Sequence, residues 1–98
     1  MKLSIIIVNY NTSHFISQTL RSISNSNLSI DFEIIIVDNN SNDQSIDLIK
    51  KQFSKIKLIE NPSNYGFSKA VNIGVYNSKG EFVLILNPDT ILKENTIS

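Results

Sequence analysis

The chain has 98 residues, 41% of them hydrophobic, with nine basic against nine acidic side chains and neither cysteine nor tryptophan. That length supports one small domain with a real core, and the missing cysteines exclude a disulfide framework and a thiolate metal site. Balanced charge without a Lys/Arg cluster excludes the electrostatic footprint of a nucleic-acid binder.

The opening Met1 to Val8 faintly resembles a signal peptide, but its apolar run is too short and Asn9-Tyr10-Asn11 stands where a small-residue cleavage site belongs. No stretch approaches the ~20 apolar residues of a membrane span. The expected location is the cytoplasm, with any membrane association carried by parts outside these residues.

Leu3 to Val8 is rich in Ile and Val and predicts a central parallel strand that ends at Asn9-Tyr10-Asn11. Thr12 or Ser13 can cap a helix whose apolar stripe is Ile16, Leu20 and Ile23. After a Ser/Asn-rich loop, Phe32 to Val37 predicts a second buried strand, stopping at Asp38-Asn39-Asn40-Ser41-Asn42. Asp43 sits where a first helical turn favours an acid. Ile46, Ile49 and Phe53 form the stripe, with Lys50, Lys51 and Lys55 at the far end. Ile56 to Ile59 is a short third strand, closed by Glu60-Asn61-Pro62. The loop Ser63-Asn64-Tyr65-Gly66 leads to a helix from Phe67 to about Asn77, buried through Ala70, Val71, Gly74 and Val75. Phe82 to Leu86 is the fourth strand, and a turn signal closes it at Asn87-Pro88.

Strand and helix alternate throughout, so the class is α/β: a Rossmann-like parallel sheet with flanking helices and right-handed crossovers. The expected strand order is 3-2-1-4, with a switch point between strands one and four. Each polar cluster then follows the carboxyl end of a strand, the edge where open α/β sheets bind ligands. The bland alternative is a set of ordinary turns, with Asp89 or Thr90 capping a following helix.

The ligand class narrows by elimination. No G-x-G-x-x-G follows the first strand and no G-x-x-x-x-G-K-[ST] occurs, which argues against the usual dinucleotide and P-loop chemistries. No G-x-S-x-G elbow and no His paired with Ser or Cys supports acyl transfer, and the single His14 reads as a surface or capping residue. What remains is Tyr10, which could stack on a base, Asp38, which could accept a base N–H, and a helix start led by Gly66. Asp89 could hold a divalent cation against a diphosphate. Together they describe a nucleotide-diphosphate site.

Four motifs carry a family resemblance: Ser4 to Asn11 (SIIIVNYN), Glu33 to Ser41 (EIIIVDNNS), Asn64 to Phe67 leading to Asn72-Ile73-Gly74, and Leu86 to Thr90 (LNPDT). In order and approximate spacing they resemble family 2 glycosyltransferases of the GT-A fold, over nearly the whole chain. The resemblance implies a nucleotide-sugar-binding portion in which Val8 and Tyr10 contact the nucleobase and Asp38 bonds its ring N–H. Asn64, Gly66 and Asn87 are further nucleotide-site positions. Asp89 matches the second acid of the D-x-D element and would carry Mg²⁺ or Mn²⁺. Asn87 departs from the first acid of that element. The Asn-Pro-Asp form resembles the rhamnosyltransferase-like branch, which implies a UDP- or dTDP-sugar. Val71 stands where some members carry an Arg near the phosphates, and the nearby Lys69 is either its substitute or a solvated surface lysine.

Such enzymes need an acceptor half with a catalytic Asp or Glu, so residues 1–98 are expected to be one donor-binding domain of a longer transferase acting on a glycan or lipid-linked acceptor. No residue here is assigned as the general base. The alternative is a non-catalytic nucleotide-binding or interaction module, and an uncovered fourth strand would favour a homo-oligomer. A nucleotidyltransferase on the same fold is opposed by the missing Gly- and Lys/Arg-rich loop.

Overall fold

The computed structural model describes residues 3–13, 15–25, 31–52 and 56–86. Among the described residues seven elements alternate: β1 (Leu3–Asn9), α1 (Ile16–Asn25), β2 (Phe32–Asp38), α2 (Ser45–Gln52), β3 (Lys57–Glu60), α3 (Phe67–Tyr76) and β4 (Phe82–Leu86). The four strands form one sheet in the order β3-β2-β1-β4, and every pairing is parallel. Strand order and direction both agree with the sequence reading. Its boundaries shift by a residue because Asn9, Asp38 and Glu60 still pair at the strand ends, in one row across three strands.

β1 is buried along its whole length, as a strand flanked by two others and covered on both faces must be. Its side chains alternate between two cores. Leu3, Ile5 and Ile7 face α1 and α2 together with Ile36 and Leu86, packed on Ile16, Leu20, Ile23 and Ile49. Ile6 and Val8 face α3 with Ile35, Val37 and Ala70. α3 lies close because Gly74 has no side chain there: a Cβ would meet Ile6 Cγ2 at 2.6 Å.

One local expectation changes. Val75 is exposed and Ile73 takes its place against the sheet, because five residues beyond Ala70 carry a side chain about 140° around the helix. α1 starts at Ile16; the Thr12 carbonyl accepts from Phe15 N at 2.8 Å and Ile16 N at 2.9 Å, as the carbonyl of a capping residue does, and its hydroxyl donates to Asn9 Oδ1. Phe53 and Lys55, expected near the end of the second helix, lie outside the described residues.

The connection into β4 is stapled to the amino ends of β1 and β2. Ser4 Oγ donates to Glu33 Oε2 at 2.5 Å, Lys79 N donates to the same oxygen at 2.7 Å, and Gly80 N donates to Ser4 Oγ at 2.8 Å. Burial pushes the Glu33 carboxyl up. The Ser4 hydroxyl, the Lys79 N–H and the charges of Lys57 and Lys79 outweigh it, so the group sits below its ordinary 4.5. This staple sets the register Leu3↔Phe82 and delivers β4 to the same edge as β1 and β2. Among the described residues, no helix is long and apolar enough to cross a membrane.

Candidate functional site

Among the described residues, three loops meet at the carboxyl edge of the sheet, beside the switch point between β1 and β4. The first follows β1. Asn9 is wholly buried, and its amide donates to Asp38 Oδ1 at 2.7 Å and Ser45 Oγ at 3.0 Å, with Ser41 Oγ at 3.3 Å. Tyr10 follows it and is 47% exposed. Asn11 has a left-handed φ of 52°, which Asn tolerates better than most residues. That turn lets its backbone N–H reach Ser41 Oγ at 2.9 Å while its Oδ1 accepts from Asn42 N at 2.8 Å.

The second loop follows β2. Asp38 has no exposed surface. Besides Asn9, its Oδ1 accepts from Ser41 Oγ at 2.6 Å and its Oδ2 accepts from Ser41 N at 2.9 Å. Asn40 takes φ 65°, the second left-handed asparagine of the rim. Asp43 ties together the starts of α1 and α2: Oδ2 accepts from Ser13 N at 2.9 Å, and Oδ1 accepts from Ser45 N and Oγ at 3.0 and 2.5 Å. Burial raises this carboxyl, but the Ser45 and Ser13 donors prevail and hold it below its ordinary 3.8.

The third loop joins β3 to α3. Asn39, on the same face of the sheet as Val8 and Val37, accepts from Asn61 Nδ2 at 2.9 Å and donates to Gly66 O at 3.1 Å. Asn64 Oδ1 accepts from Gly66 N at 2.9 Å, closing a short side-chain turn. Gly66 has φ 84° and ψ 170°, a region essentially restricted to glycine. It stands at the start of α3, where Ala70 N donates to its carbonyl.

The expected site residues that the structure describes therefore lie at one edge, at different depths. Tyr10, Asn64 and Gly66 are exposed there, Val8 is buried beneath them on the α3 face, and Asp38 is buried on the opposite face with Asn9. Lys69 Nζ rests 4.3 Å from the centroid of the Tyr65 ring, a cation–π contact at the first turn of α3. Asn87, Asp89 and His14 lie outside the described residues. Among the described residues, no group of three or more His, Cys, Asp or Glu side chains could hold a metal ion. The buried roles of Asn9, Asn39 and Ser45, and the linking role of the half-buried Ser41, escaped sequence reasoning. Their signal was an unusual density of Asn and Ser immediately after apolar runs, which by itself is also what ordinary turns look like.

Residues 4–98 match the model of glycosyl transferase family 2. The chain is 30% identical over 102 residues to the poly(ribitol-phosphate) beta-N-acetylglucosaminyltransferase TarS of Staphylococcus aureus, covering 99% of this chain and 18% of that protein. It is 37% identical to a poly(ribitol-phosphate) beta-glucosyltransferase of Bacillus spizizenii, over 91% of this chain and 15% of that protein. The chain thus spans less than a fifth of the length of these relatives. The crystal structure of S. aureus TarS residues 1–349 in complex with UDP superposes with a TM-score of 0.89 at 30% identity, over 99% of this chain and 30% of that one. A mannosyltransferase from Pyrobaculum calidifontis, solved with GDP-Man and Mn²⁺, superposes at 0.84 over 92% of this chain and 28% of that one. At 23% identity it shows the shared fold alone.

Proposed function

The chain belongs to glycosyl transferase family 2, and from that premise we propose that it is the donor-binding part of a transferase moving a sugar from a UDP- or dTDP-sugar to a glycan or lipid-linked acceptor. The observation that carries the reading is the set of three tied polar loops at the carboxyl edge of a parallel sheet, with an exposed tyrosine on the rim. Residues 1–98 act as one domain in this reading. The acceptor half, and the carboxylate that deprotonates the acceptor hydroxyl, lie outside them. Val8, Tyr10, Asp38, Asn64, Gly66 and Asn87 serve the nucleotide, with Tyr10 stacking on the base. The enzyme works in the cytoplasm.

The UDP complex of TarS supports a uridine donor. The Asn87-Pro88-Asp89 form supports the rhamnosyltransferase-like branch, and with it dTDP as the competing carrier. Asp89 matches the second acid of the D-x-D element, so a divalent cation, Mg²⁺ or Mn²⁺, would be held by Asp89 together with the diphosphate. Its chemistry there is to neutralise charge on the diphosphate.

Calorimetry on the full chain tests both levels. UDP or dTDP should bind more tightly than ADP, and Mn²⁺ should tighten that binding in the parent but not in Asp89→Asn. Equal affinity for all three nucleotides removes the base assignment. An equal metal effect in the variant makes Asp89 a turn residue. The alternative is a non-catalytic nucleotide-binding or interaction module, and one feature favours an interaction role: Val83 and Ile85 of β4 stand exposed.

A further inference from the structure

The depth of Asp38 has a chemical consequence at this edge. A carboxylate that reads a base N–H must turn a lone pair toward the ligand. Asp38 has no exposed surface, and both of its oxygens already accept from Asn9 and Ser41. Val37 packs on the α3 side with Val8, so the next residue, Asp38, falls on the other side of the sheet, level with Asn9. There the two side chains complete each other, since a buried amide and a buried carboxylate each need the partner that the other supplies.

The pair also reaches Tyr10. On one side Asn9 is held by Asp38. On the other, Ser41 Oγ donates to Asp38 and accepts from Asn11 N, which fixes Asn11 in its left-handed turn. Both chain neighbours of Tyr10 are thereby pinned, while the ring itself remains open to solvent. Resting on the reading that a nucleotide binds at this edge, we propose that Asn9 and Asp38 are positioning residues, acting through Ser41 to hold Tyr10 on the rim, and that Asp38 does not touch the base.

The test is a reversal of the pair. In the double variant N9D/D38N an amide still donates to a carboxylate, and the oxygen of the new amide still accepts from Ser41 N. The Ser41 hydroxyl, which loses its acceptor at position 38, donates instead to the carboxylate at position 9, where the parent Asn9 Nδ2 lies 3.3 Å from it. Two readouts are followed on the full chain: backbone amide exchange at Tyr10 and Asn11, and calorimetric affinity for UDP and CDP. Uracil carries a hydrogen on N3 and cytosine does not, so a carboxylate that reads this position separates the two nucleotides. D38N alone should speed exchange at Asn11 and weaken UDP and CDP alike, by roughly tenfold, the scale of one buried hydrogen bond. The double variant should return both affinities to within about threefold of the parent. A loss confined to UDP, unrestored by the reversal, would assign Asp38 to the base and overturn the proposal. Unchanged exchange at Asn11 in D38N also overturns it, whatever the nucleotides do. Should D38N and the reversal fail to fold, Ser41→Ala removes only the relay hydroxyl. It should speed exchange at Asn11 and weaken both nucleotides equally; normal exchange there refutes the relay. A parent chain that binds neither nucleotide refutes the donor-site reading instead, and the exchange measurements still decide the positioning role.

Discussion

Gly80 is the residue whose replacement should be felt most directly across the sheet. A Cβ there would stand 2.6 Å from Ser4 N, 2.7 Å from Leu3 C and 2.7 Å from Ser4 Oγ. Two of those three atoms belong to the backbone of β1, which is buried on both faces and hydrogen-bonded on both sides. Relief must therefore come from moving the 79–80 connection outward. Overpacking of this kind costs about 1–3 kcal/mol, and the displaced Gly80 N–H would forfeit its 2.8 Å bond to Ser4, about 1 kcal/mol more. The alanine restricts the unfolded chain and returns roughly 0.4–1 kcal/mol. Gly80→Ala should therefore destabilise by about 2–3 kcal/mol. For a domain of this size that lowers the melting temperature by roughly 10–20 °C. Urea and thermal melts of parent and variant measure it. A variant within about 0.5 kcal/mol of the parent would show that the connection yields freely, and that the staple at Ser4 does not set the register of β4.

Two further outcomes follow from features of the same fold. Glu33 and Asp43 both titrate below their ordinary values in the folded chain, so the stability they confer is present above pH 4.5 and 3.8 respectively and is lost as pH falls through their folded values; Glu33→Gln should flatten the acid limb of the stability profile, and an unchanged limb would remove Glu33 from it. The exposed Val83 and Ile85 lie on the strand at the end of the sheet order, so the isolated chain should self-associate at micromolar concentration; a clean monomer by light scattering would refute this.

The fold was legible because its strands are short, continuous apolar runs, each closed by Asn, Pro or Asp, and such runs have few other uses in a chain of this length. Parallel direction followed from the alternation with helices, and the structure agrees with it and with the expected strand order in each pairing. Side-chain depth was far less legible. Asp38 and Asn39 are adjacent polar residues with similar turn preferences. Which sinks behind the sheet and which faces Val8 depends on strand parity carried past the last apolar residue, where no hydrophobic signal remains to mark the face. Thr12 stands at the head of α1 as its type suggests, but the bond its hydroxyl donates to the buried Asn9 amide left no mark in the sequence. Val75 looked buried because it is apolar, although its angle around the helix says otherwise.

The loops at the carboxyl edge share partners. Asn39 belongs to the second loop but holds the third through Asn61 and Gly66, while Ser41 and Asp43 belong to the second and hold the first through Asn11 and Ser13. A change in any one of them alters the hydrogen-bond accounts of its neighbours, so substitutions along this rim will not combine additively. An evolving family member cannot reshape these loops one at a time. A new donor preference has to arrive as a correlated set of changes in residues far apart in sequence, and a single residue transplanted from a relative with a different donor will more often loosen the whole edge than carry its specificity with it.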